Sequence, residues 1–169
     1  MSYARFGVMI AVSTVIMLGL MYLNTYALDH VTFSQTRAWK ALLMGTAMAV
    51  VMMGFMWSAY KNKTVNAVII GASVVGFAAA LWLVRSQETV DDVSYMSAMI
   101  PHHSIAIMTS ERAHIRDQRV RKLANEIIEA QVREINEMKA LIADLQAKPV
   151  PKDAKDLLPV SSDNLNNAP

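Results

Sequence analysis

The chain has no cysteine, little glycine and almost no acidic residues in its first half. The absence of cysteine excludes disulfide bonds, thiolate metal sites and thiol nucleophiles. All six glycines lie in the first half, so the second half has no glycine-rich phosphate-binding loop. The formal net charge of +2 gives no indication of nucleic-acid binding. These absences argue against a nucleotide-dependent enzyme.

The charged residues divide the 169-residue chain into two regions. Residues 1–87 contain one acid and six bases, whereas residues 88–169 contain thirteen acids and ten bases. Within the first region, the three stretches 6–28, 41–60 and 64–84 carry no charge. Because a helix of about 20 apolar residues crosses a bilayer core, these stretches predict a three-helix transmembrane region.

The first apolar stretch has an alternative interpretation as a secretory signal peptide. It is longer than a usual signal core, and no small-residue cleavage site clearly follows it. We therefore expect an uncleaved span. The bases that flank the three spans are evenly divided between the two sides, so charge does not decide the orientation. Three spans nevertheless place the loop 29–40 and the C-terminal half on the same side.

The second region predicts a helical hairpin over residues 88–147, with a turn at 116–118 capped by Asp117. Pro101 either kinks the first helix or lies in the first turn of a new one. In the second helix, apolar residues recur at steps of three and four, as in a coiled-coil seam. Residues 148–169 are rich in Pro, Ser, Asp and Asn, which predicts a disordered tail.

A hairpin of about 60 residues cannot enclose a hydrophobic core by itself. We therefore expect either that two copies form a four-helix bundle or that the hairpin rests on the membrane part. The overall prediction is an all-α protein with three transmembrane helices followed by this hairpin.

The candidate functional residues are methionine and histidine. On a continuous helix, Met96, Met99, His103 and His114 fall on one stripe. Thioether and imidazole ligands suit Cu(I) or its soft analogue Ag(I). Because histidine binds metal only when neutral, the affinity should fall below about pH 6.5. The alternative is that these methionines only fill a helix core.

A second hypothesis uses the step from Glu111 to His114. Bundled di-iron proteins use two Glu-x-x-His steps and two further glutamates. A homodimer of the hairpin could supply two such steps, with Glu126 or Glu134 added. This arrangement would make the protein a redox enzyme. His30, which follows Asp29 at the end of the first span, could join a metal site or lie at the membrane interface.

The second region also contains two motifs: Met99-Ile-Pro-His-His103 with Ala106-Ile-Met108 after it, and Val120-Arg-x-Leu-Ala124-x-x-Ile-Ile128-x-x-Gln131-x-x-Glu-Ile135-x-x-Met138. Together they closely resemble the DUF305 family, and residues 21–37 look like its membrane-anchored branch. The resemblance implies a ferritin-like bundle and, as in some members, periplasmic copper binding linked to copper tolerance. The metal ligands it implies are Met99, His102, His103, Met108 and Met138, to which the helical stripe adds Met96 and His114.

We therefore expect a multi-pass protein of a bacterial inner membrane, with a periplasmic hairpin that dimerises. It would bind Cu(I), or Ag(I), to buffer the metal or pass it to a copper-handling protein, and it would not be an enzyme. The partners expected are the lipid bilayer and a second copy, with no nucleic acid. The alternatives are the homodimeric di-iron protein and a structural or interaction module without metal.

Overall fold

The computed structural model describes residues 2–151 and 153–157, and its long elements are all helical. No strand occurs among these residues, which confirms the all-α prediction. The helices are α1 (Tyr3–Leu20), α2 (Gln35–Phe55), α3 (Lys63–Ser86), α4 (Asp92–Arg112) and α5 (Gln118–Ala147).

Helices α1, α2 and α3 are each long and apolar enough to cross a membrane. Helix α2 lies between the other two and packs against both. A Cβ atom on Gly45 would collide with the Thr14 hydroxyl of α1, and one on Gly76 would lie 3.2 Å from the Thr46 methyl group. Small residues therefore allow the close approach of these helices, as is usual for helices packed in membranes.

Helix α1 ends at Leu20, although the uncharged stretch continues to residue 28. Its 18 residues span about 27 Å, close to the thickness of a bilayer core. Residues 21–34, the docking loop, then form turns that polar contacts hold in place. Arg37 Nη1 donates to the Met21 carbonyl at 2.6 Å, and the Ser34 N–H donates to the Tyr22 hydroxyl at 2.9 Å.

The opposite end of the three helices contains a buried polar cluster around Asn66. The Tyr3 hydroxyl donates to Asn66 Oδ1 at 2.8 Å, and Asn66 Nδ2 donates to the Trp57 carbonyl at 3.1 Å. Asn66 is completely buried. These bonds tie α1 to α3 and to the turn between α2 and α3.

Helices α4 and α5 form the predicted hairpin around Ile100, Ile107 and Ile135, which are almost fully buried. Pro101 lies inside one continuous helix α4. Asp91 caps α4 by accepting from the Ser94 N–H, which lowers the pKa of Asp91. Asp117 caps α5 as predicted. The seam residues Ile128, Met138 and Ile142 flank the core, so the coiled-coil-like pattern is confirmed.

The hairpin rests on the docking loop, one of the two arrangements expected for it. The Tyr26 N–H donates to Ser104 Oγ at 2.8 Å, and the Thr32 hydroxyl donates to the Ser97 carbonyl at 2.6 Å. These contacts confirm that the loop and the hairpin lie at the same end of the first three helices. Of the tail predicted to be disordered, residues 152 and 158–169 lie outside the described residues, and the described part has no helix or strand.

Candidate metal-binding cleft

An open cleft of about 560 Å³ runs between α4 and α5. It contains three of the predicted methionines and one predicted histidine. The lining residues that carry sulfur, nitrogen or carboxylate groups are Met96, Met99, His103, Met138, Asp92, Glu134 and Glu137. We call this space the metal cleft.

The helical repeat explains why these side chains converge. Met96, Met99 and His103 follow one another at steps of three and four, so they lie on one face of α4. Glu134 and Met138 are one turn apart on the facing side of α5. Met96 is 7% exposed, whereas Met99 and Met138 are half-buried and line the open part of the cleft.

His103 contacts a hydrogen-bond acceptor with each ring nitrogen. Nδ1 lies 2.9 Å from the Met99 carbonyl oxygen, and Nε2 lies 2.8 Å from Oε2 of Glu134. A neutral imidazole carries only one N–H and leaves a lone pair facing one of these oxygens. When Nδ1–H donates to the Met99 carbonyl, the lone pair of Nε2 lies next to the Glu134 carboxylate, where a metal ion could bind it.

His102 faces away from the metal cleft. It lines a second cleft, of about 440 Å³, between α4 and the first turns of α2, together with Arg37 and Lys40. The consecutive histidines diverge because neighbouring residues on a helix differ in direction by about 100°. Met99 lines both clefts.

The two other predicted ligands lie outside the metal cleft. Met108 is half-buried on α4 but does not line this space. Helix α4 ends at Arg112, and the extended backbone of Ala113 carries His114 into an exposed turn. The prediction that His114 shares the helical stripe is therefore wrong, because that stripe requires α4 to continue to residue 114.

Within a single chain, the residues of the di-iron hypothesis, which places them in a homodimer, lie apart. Glu111 is exposed at the end of α4, where interaction with its carboxylate raises the pKa of Tyr26. Glu126 lies near the turn between α4 and α5, with its Oε1 3.9 Å from Nζ of Lys122. Within the described part of the chain, no group of three or more His, Asp or Glu residues is arranged to hold a metal ion.

Glu134 was not identified as part of a soft-metal site from the sequence. On the sequence alone, Glu134 is expected only as an added carboxylate for iron. The available signal was its position one turn before Met138, which places both side chains on the same face of α5.

His30 belongs to the docking loop and does not line the metal cleft. Its Nδ1 lies 3.0 Å from Ser104 Oγ, and its Nε2 lies 3.9 Å from Oδ2 of Asp29. Burial of the ring lowers the pKa of His30, with the nearby Asp29 carboxylate opposing this shift. The Ser104 side chain is completely buried, so this arrangement holds the loop and offers no accessible nucleophile.

Comparison with known proteins bears on the hairpin and the tail. Residues 92–166 match the family model described as "Domain of unknown function (DUF305)". The DUF305 segment thus contains the whole metal cleft. It includes residues 158–166, which lie outside the described residues.

One curated relative is "Uncharacterized protein L153" of Acanthamoeba polyphaga mimivirus. It is 41% identical over 64 residues, which are 37% of this chain and 42% of that protein. The chain therefore spans less than half of that relative. No solved structure matches the chain significantly.

Proposed function

We propose that this protein is a membrane-anchored binding protein for Cu(I), with Ag(I) as an analogue, and that it is not an enzyme. The observation that carries the proposal is the convergence of three thioethers and one imidazole on the metal cleft. Met96, Met99, Met138 and His103 would hold the ion. Thioether sulfur favours soft monovalent metals over Zn²⁺, Mg²⁺ or Ca²⁺.

The contacts of His103 suit a metal ligand. The Met99 carbonyl orients the ring through Nδ1, as is usual for histidine ligands of metals. Nε2 lies 2.8 Å from Oε2 of Glu134, so a metal ion on this nitrogen would lie next to a carboxylate. Imidazole nitrogen binds a metal ion only through a free lone pair. Acid therefore competes with the metal.

Two further carboxylates that line the metal cleft favour the entry of a cation. Asp92 and Glu137 line the cleft beside Glu134, so three acidic groups surround the soft ligands. Carboxylates are hard ligands and bind Cu(I) less well than thioethers do. We propose that the carboxylates attract the ion to the cleft and that the thioethers hold it there.

The three apolar helices support a proposal about location. We propose that α1, α2 and α3 span a bacterial inner membrane and hold the hairpin on its periplasmic side. Methionine ligands suit this oxidising compartment because thioethers form no disulfides. We also propose that the hairpin pairs with a second copy and passes metal to another copper-handling protein. The exposed apolar side chains Val120 and Leu123, three residues apart on α5, support the pairing.

The proposal is tested by titrating the full chain in detergent with Cu(I) against a competing chelator under reducing conditions. The variant Met99→Leu/Met138→Leu preserves side-chain volume but removes two thioethers. We expect it to bind Cu(I) at least about tenfold more weakly, the scale of losses at metal sites. Met108→Leu is the matched control, since Met108 lies outside the cleft.

Unchanged affinity in the double variant would overturn the assignment of the cleft. Absence of Cu(I) binding by the folded wild-type protein would favour a structural module. Binding of Fe(II) that depends on Glu111 and His114 would favour the di-iron hypothesis instead. Sedimentation of the same samples measures whether two copies assemble.

A further inference from the structure

The two clefts beside α4 have opposite charge. The metal cleft is lined by three carboxylates and no lysine or arginine among the described residues. The cleft on the other side of α4 is lined by Arg37, Lys40 and His102, with no described carboxylate. We call it the basic cleft. A cavity that presents only basic and neutral polar groups attracts an anion.

Arg37 is the most constrained of these basic groups. Its Nη1 donates to the Met21 carbonyl at 2.6 Å, and its guanidinium lies 4.4 Å from the centre of the Tyr22 ring. Among the described residues, no carboxylate oxygen lies within 4.0 Å of this guanidinium. A half-buried arginine that is held in place without an acidic partner retains N–H donors for an anion.

Lys40 and the start of α2 add to this positive potential. Lys40 lies on the same helix as Arg37, three residues further on, and is exposed. Ser34, the N-cap of α2, and Thr36 also line the basic cleft. The positive end of the α2 dipole therefore points toward the same space.

The position of the basic cleft identifies the source of the anion. The uncharged part of α2 begins at Ala41, immediately after Lys40. If α2 spans the membrane, Arg37 and Lys40 lie at the level where lipid phosphates are found. The apolar lining residues Met21, Val90 and Ile105 complete a pocket that is both basic and apolar.

We propose that the basic cleft binds the phosphate of an anionic phospholipid through Arg37, Lys40 and His102. This inference rests on the proposed membrane insertion and is independent of metal binding. The lipid would lie between α2 and the hairpin on the side of α4 opposite the metal cleft.

The test uses the full chain in a neutral detergent, with native mass spectrometry to count bound lipid. The probes are short-chain phosphatidylglycerol, short-chain phosphatidylcholine and inorganic phosphate. We expect one phosphatidylglycerol to be retained in preference to phosphatidylcholine. Lys40→Gln should weaken the binding of phosphatidylglycerol about fivefold. This factor corresponds to about 1 kcal/mol, the contribution of one base near a membrane surface. Lys40→Glu should weaken it further.

Lys61→Gln and Lys61→Glu are the matched controls, since Lys61 is an exposed base at the opposite end of the helices. Equal retention of both lipids, or equal losses in the Lys40 and Lys61 variants, would overturn the inference. Displacement of the lipid by millimolar phosphate would identify free phosphate as the ligand and overturn the assignment to lipid. Cu(I) titration of the same samples separates this result from the metal proposal, because Lys40 does not line the metal cleft.

Discussion

The Lys139 ammonium group lies 2.6 Å from the Asp29 carboxylate, although 110 residues separate them in sequence. This ion pair joins α5 to the docking loop. The hydrogen bond from Lys139 is the main cause of the lowered pKa of Asp29. Because Asp29 is largely exposed, the pair orients the hairpin more than it stabilises the fold.

The first prediction concerns the pH dependence of loop docking. Burial lowers the pKa of His30 below its usual value of about 6.5. An undocked loop therefore takes up a proton near pH 6.5, whereas the docked loop does so only at lower pH. Docking is strongest above pH 6.5 and weakens as the pH falls toward the docked pKa.

Hydrogen exchange of the Tyr26 amide measures this effect, because that N–H donates to Ser104. Its protection factor should be lower at pH 5.5 than at pH 7.5. His30→Gln keeps a polar group beside Ser104 but removes the titrating ring, so the pH dependence should shrink. Protection that is independent of pH in the wild-type protein would contradict the prediction.

The second prediction concerns the carboxylate next to His103. Glu134→Gln removes a negative charge from the metal cleft but keeps the side-chain shape. We expect Cu(I) affinity to fall roughly two- to fivefold at low salt, as for partly exposed charge pairs, and to depend less on salt. Chelator competition at two salt concentrations measures both effects. Glu129→Gln, on an exposed part of α5, is the control. A rise in affinity would show that Glu134 holds His103 away from the metal.

The third prediction concerns the contact between α1 and α2. Gly45→Ala places a Cβ atom against the Thr14 side chain, so either that side chain or the helices must shift. We expect the free energy of unfolding to fall by about 1–3 kcal/mol. Thermal unfolding in detergent measures it. Gly54→Ala, which meets no neighbouring atom within 4 Å, should not destabilise the protein, and Thr14→Ala should rescue Gly45→Ala.

The fourth prediction concerns the buried amide of Asn66. Asn66→Leu leaves the Trp57 carbonyl without its amide donor and the Tyr3 hydroxyl without one acceptor. Because Lys63 Nζ still donates to the Trp57 carbonyl and the Tyr3 hydroxyl can still donate to the Asn62 carbonyl, we expect a loss of about 1 kcal/mol, the net contribution of one hydrogen bond. Tyr3→Phe removes the hydrogen bond from the Tyr3 hydroxyl to Asn66 but keeps the one from Asn66 to the Trp57 carbonyl. The unfolding temperature of this variant should therefore fall less than that of Asn66→Leu. Equal unfolding temperatures for Asn66→Leu and the wild-type protein would exclude a stabilising role for the cluster.

The hairpin could be predicted because its signals are local in sequence. The spacing of Ile128, Ile135 and Ile142 defines one face of α5, and Asp117 supplies a recognisable cap. The end of α4 was missed because residues 113–117 include no glycine or proline to mark a helix end.

The candidate site could be predicted only in part. The stripe of Met96, Met99 and His103 follows from helix geometry, but the part of α5 that faces it depends on tertiary packing. The different directions of His102 and His103 could be derived from the helical repeat, whereas the contact of Lys139 with Asp29 could not. Pairs so distant in sequence leave no periodic signal in a single chain.

The attachment of α4 to the docking loop determines which form of the protein is suitable for measurement. A fragment that begins at residue 88 would lack Tyr26 and Thr32, which donate hydrogen bonds to Ser104 Oγ and to the Ser97 carbonyl. Its α4 would expose to water a surface that the docking loop covers in the intact chain. Titrations on such a fragment would test a hairpin without these contacts, so the full chain is the proper reference for them.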